Sequence, residues 1–133
     1  MTPKTSITPL VVSLNSNKVL EFIRDRQLTQ KQINDLNKLD SKLDSGITFA
    51  GDFVQAPNSN DKAIFMANNL ALALDTNNDS ITALSCAYLA TRYPELKQLK
   101  ISSNNEHISI ELVYDKEYTE QAPVKFVSKK DLI

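Results

Sequence analysis

Residues 97–115 read KQLKISSNNEHISIELVYD, and this run decides the fold class. Apolar and polar residues alternate on both sides of Asn104-Asn105, which is the period of a half-buried strand. Asparagine tolerates positive φ, as a two-residue type I′ loop requires. The spacing predicts a β-hairpin of 97–103 and 106–115, with Ser103 opposite Glu106, Ile101 opposite Ile108 and Leu99 opposite Ile110. Leu112 and Tyr114 extend that apolar face, and Lys100, His107, Ser109 and Glu111 make the other one polar. Consecutive antiparallel strands late in the chain argue for α+β rather than alternating α/β.

Upstream, 61–74 and 80–93 are predicted to be two helices, joined by Asp75-Thr76-Asn77-Asn78-Asp79 and stopped by Pro94. No charge falls between Ala63 and Leu74 or between Ile81 and Thr91. A helix apolar nearly all round is normally buried. Alanines at 63, 67, 71, 83, 87 and 90 allow two backbones to approach closely. This pair is the expected centre of the core, with any surplus apolar face available for self-association.

Residues 30–45 form the clearest amphipathic helix. Thr29 and Gln32 make a capping box, Ile33, Leu36, Leu39 and Leu43 share one face, and Gly46 falls at the C′ position. The spacing also predicts a helix over 18–27, capped by Asn17, with Arg24, Asp25 and Arg26 toward water. Short strands are expected at 9–14, at 47–54 with a bulge at Gly51, and at 123–128. The expected architecture is therefore α+β, a small and mainly antiparallel sheet of four to five strands with two helical pairs. Its order is β-α-α-β-α-α-β-β and a final optional β, in one domain over 1–133 with loose ends at 1–8 and 129–133.

Composition excludes several functions. The 133 residues carry 15 basic and 16 acidic side chains, a net charge of −1. A nucleic-acid binder normally shows a basic excess, so nucleic acid is not an expected partner. Two glycines cannot build a phosphate-cradling loop, and one cysteine with one histidine cannot supply a four-ligand zinc site. Cys86, the sole cysteine, cannot form an intramolecular disulfide. Neither a secretory leader nor a membrane span is expected, which points to a cytoplasmic location.

The remaining motifs are weak. Asp75, Asn77 and Asp79 have the D-x-N-x-D start of a calcium loop, with oxygen ligands at alternate positions. Ser80 stands where the loop needs glycine and Cys86 where it needs the bidentate glutamate. Cys86 and His107 could act as nucleophile and base only if the fold joined them. Asp52, Glu95, Glu106, Glu111, Asp115, Glu117 and Glu120 could in principle supply a carboxylate pair. Leu28-Thr29-Gln30 resembles the corner opening the second helix of Cro- and repressor-like helix-turn-helix proteins. That likeness ends where Asn34 replaces a small packed residue and Lys38 the turn glycine.

No catalytic residue, cofactor or metal follows from these features. The expected function is a non-enzymatic protein-interaction or regulatory module, a small accessory protein of bacterial or phage type. The alternative is a small enzyme or ligand-binding protein with a site assembled from distant carboxylates.

Overall fold

The computed structural model describes residues 8–24, 27–49 and 51–119. The expected strand at 123–128 and the expected loose ends lie outside them, except Thr8. The order is β1 (Leu10–Leu14), β2 (Asn17–Phe22), α1 (Gln30–Asp44), β3 (Ile47–Phe49), β4 (Asp52–Val54), α2 (Ser59–Asp75), α3 (Asp79–Arg92), β5 (Gln98–Ser103) and β6 (Ile108–Val113). The fold is α+β, as the sequence implies, but its element order and sheet type differ from expectation. A four-stranded mixed sheet runs β2-β1-β5-β6, and β3 and β4 form a separate two-stranded sheet.

The largest correction is at 18–27. The stretch expected to be a helix is β2, so one helical pair is present among the described residues, α2 with α3, rather than two. Asn15 and Ser16 take φ of 49° and 73°, and Leu14 lies opposite Asn17, the geometry of a two-residue primed turn. The β1–β2 ladder slips between Val12 and Ser13, leaving Val19 as the extra residue, 42% exposed. That bulge disguises the period of two. Leu20 and Phe22 still reach the apolar face opposite Val12 and Leu10.

β1 and β5 pair in parallel, Val12 beside Leu99 and Leu14 beside Ile101, so the centre of the sheet is not antiparallel. The long connection through α1, α2 and α3 makes this possible. Asn15 secures the join, because its side chain donates to Ser103 O at 3.1 Å and accepts from Ser103 N at 2.9 Å.

The late hairpin exists with its loop corrected. Ser103 faces Ile108, Ile101 faces Ile110 and Leu99 faces Leu112. The shift from the expected pairing is two residues, so every side chain stays on its face. Asn104 Oδ1 accepts from the backbone of Glu106 and of His107, both at 2.8 Å, which closes a four-residue loop in place of the type I′ turn. His107 therefore belongs to the loop rather than to the polar face. At 47–54 the expected single strand folds back on itself, with Phe49 opposite Asp52 and Gly51 at φ +84°.

α3 is the central helix. Ser85 through Ala90 are all buried, and together with α2 (Ala63, Met66, Ala67, Leu70) and α1 (Leu36, Leu43) they cover Leu10, Val12, Leu99 and Ile101 of the sheet. The expected burial of the uncharged helices is thus met inside the molecule. Leu72 and Ile81 remain 53% and 40% exposed. Arg92 ties α3 to α1 through Asp40, Nη2 to Oδ2 at 2.7 Å.

Arg24, expected in water, does the opposite. Its guanidinium donates to Ala90 O and Tyr93 O at 3.0 Å each, to Thr8 O at 2.6 Å and to Leu96 O. The helical acceptor role of Ala90 O would need an N–H at position 94, which is Pro94 and has none. Arg24 fills that gap and places a cation at the negative end of α3.

Candidate functional site

The sheet has a second face that the helices do not cover. Register places Val11 and Ser13 of β1, Gln98, Lys100 and Ser102 of β5, Ser109, Glu111 and Val113 of β6, and Lys18 and Glu21 of β2 on it. Val11, Ser13, Gln98 and Val113 are buried yet stand apart from the helical core. The chain after β6 is tied to this face. Gln98 Nε2 donates to Lys116 O at 2.9 Å, and Thr8 Oγ1 donates to Glu117 Oε1 at 2.9 Å. Residues 114–119 thus form a strap tied to Gln98 and Thr8.

Beside the strap opens a polar cleft of about 970 Å³, floored by Ser13, Gln98, Lys100, Ser102 and Ser109 and walled by Lys18, Glu111 and 116–119. Lys18, Glu117 and Tyr118 also line a smaller neighbour of about 210 Å³.

The two edges of the sheet differ. β2 is interrupted by its bulge and carries Lys18 and Glu21, devices that blunt an edge. β6 is six residues long, pairs with β5 without a slip, and bears a single charge, Glu111. Its Ile108, Ile110 and Leu112 are half-buried. Among the described residues no strand pairs with its outer side.

The sequence-nominated residues fall elsewhere. Asp75 ends α2 and Asp79 opens α3. Asn77, at φ 56°, donates its N–H to Leu74 O at 3.3 Å, and Asn78 donates to Ala73 O at 2.8 Å, a Schellman ending. Asn78 is the N-cap of α3, its side chain accepting from Ile81 N. The segment is a spliced pair of helix termini. Among the described residues no three His, Cys, Asp or Glu side chains gather as a metal site. Asn77→Val is expected to cost about 1–2 kcal/mol, because a β-branched residue resists the left-handed conformation. Millimolar calcium is expected to leave the melting temperature unchanged. Thermal denaturation of both chains, with and without calcium, checks both statements.

Cys86 is buried within α3, whereas the His107 side chain is 80% exposed, so the two do not form a catalytic pair. Burial pushes the Cys86 thiol up to about 11 from 9.0, with Arg24 opposing. The folded state then holds the proton that the unfolded state releases. That contribution to stability is complete below pH 9 and declines as the pH rises to about 11. Burial raises Tyr88 as well, adding the same trend at higher pH. Urea midpoints are expected to fall between pH 8 and pH 10.5, and less steeply in Cys86→Ala.

Of the candidate carboxylates, only Glu111 and Glu117 line the cleft, and both are exposed. Asp52, Glu95, Glu106 and Asp115 are exposed on β4, on the turn after α3, in the β5–β6 loop and in the strap, and Glu120 lies outside the described residues. The helix-turn-helix corner sits on the N-terminus of α1, preceded by β2 rather than by a helix.

The second face went unread as a site in the sequence, whereas the exposed edge of the 97–115 hairpin could be read there as a surface for pairing with a partner strand. The polar residues alternating through 98–111 were the available signal, since one face of a strand pair that is polar throughout must meet either water or a polar ligand. No protein-family model matches the chain, no curated protein matches it, and no solved structure matches it.

Proposed function

We propose that this chain is a non-enzymatic interaction module that engages a protein partner by strand addition at β6. The observation that carries the reading is the contrast between the two sheet edges. β2 is bulged and charged, while β6 pairs with β5 in unbroken register and is nearly uncharged. An extended partner segment would gain main-chain hydrogen bonds along β6. It would also extend the half-buried row of Ile108, Ile110 and Leu112, since apolar side chains on one face of an added strand lie beside that row.

Adjacent residues of an edge strand point their amides in opposite directions. Of Ser109→Pro and Ile110→Pro, one removes an outward N–H and spares the β5 ladder. That variant, identified by its retained melting temperature, is expected to lose a partner that the wild-type chain captures from host cells. Undiminished capture by it, or no capture by the wild type, would contradict the proposal.

A further inference from the structure

The cleft on the second face is distinct from the outer backbone edge of β6, although Ser109 and Glu111 of β6 line it. Register sets four side chains in one row across the sheet: Lys18, Ser13, Lys100 and Glu111. Ser13 is 5% exposed, and its hydroxyl makes no hydrogen bond to a described residue, yet it lines the cleft. A group that is hidden as a residue but open toward one cavity is placed to serve a molecule in that cavity.

The surroundings indicate which molecule. Three lysines (Lys18, Lys100, Lys116) and two glutamates (Glu111, Glu117) line the cleft, with further hydroxyls from Ser16, Ser102 and Ser109. Lys18 is engaged with Glu21 at 3.9 Å, and Glu117 accepts from Thr8. Lys100 and Lys116 form no ion pair among the described residues, although Glu111 is the register partner of Lys100. No arginine lines the cleft, so recognition falls to compact ammonium charges and hydroxyls rather than to a planar fork. Ammonium point charges with scattered hydroxyl donors suit a tetrahedral oxyanion.

We infer that the second-face cleft is a binding site for a phosphate-class anion, held by Lys100 and Lys116 with Ser13 Oγ as a donor on its floor. The anion could be free or carried on a small molecule or side chain, because both present at least three terminal phosphoryl oxygens.

The test is an amide NMR titration of the whole chain with sodium phosphate at constant ionic strength, set against sodium chloride. Saturable shifts are expected at Ser13, Gln98 and Lys100. Ser13→Ala and Lys100→Gln are each expected to weaken binding at least fivefold, and the exposed-helix control Lys31→Gln to leave it unchanged. Repeating the titration with phosphoserine separates the sources. Tighter binding than to inorganic phosphate marks a carried phosphoryl group, and weaker binding marks the free anion. Shifts that do not saturate, that centre on the helix starts at Asn58 or Asn78, or that persist unchanged in both cleft variants would overturn the assignment.

Discussion

Arg24→Leu is expected to lower stability by about 3 kcal/mol, read from urea denaturation. One guanidinium serves four backbone carbonyls, those of Thr8, Ala90, Tyr93 and Leu96. It therefore holds the chain before β1, the end of α3 and the approach to β5 at one point. A hydrogen bond to a charged group contributes about 1.5–3 kcal/mol. Burial opposes the charge here, lowering the Arg24 pKa from its usual value, so the four contributions do not simply add. The leucine variant also leaves Ala90 O without a donor, because Pro94 has no N–H. Arg24→Lys is expected to recover less than half of the loss, since an ammonium cannot span the acceptors as a planar fork does. A loss below about 1 kcal/mol in Arg24→Leu would show that water replaces the guanidinium.

Leu99→Ala is expected to cost about 3–4 kcal/mol, within the range for a fully enclosed leucine. Leu99 is 0% exposed. It lies between Val12 on the parallel side and Leu112 on the antiparallel side, beneath the helical layer. Its neighbours are held by two ladders, so the cavity cannot collapse easily. Leu112→Ala, at the half-buried edge, is expected to cost about half as much by the same reasoning. A larger loss at Leu112 than at Leu99 would place the centre of the core elsewhere. Matching fluorescence and circular dichroism transitions would justify reading both values as two-state free energies.

Local signals are legible in the sequence. The capping box at Thr29 and Gln32 is formed in both directions, Gly46 takes φ +121° just beyond α1, and the uncharged stretches became buried helices. Each of these depends on residues a few positions apart. The failures depend on partners far away. The bulge at Val19 spoils the alternation of β2, and only pairing with β1 reveals it as a strand. The parallel β1–β5 join spans most of the chain and leaves no local mark. Arg24 reads as a surface charge because its acceptors are carbonyls more than sixty residues away, apart from Thr8. The second-face cleft has the same origin. Ser13 and Lys100 are unremarkable in the sequence until parallel pairing sets them side by side.

The β6 edge is the feature on which the proposed function stands, and residue-resolved amide hydrogen exchange of the isolated chain tests it most directly. Strand addition requires an outer side that is open in the free protein. The expected result is alternation along Ile108–Val113, with amides facing β5 protected and the intervening ones exchanging at rates typical of exposed backbone. Uniform protection across all six residues would mean that the edge is already occupied, and would contradict the proposal.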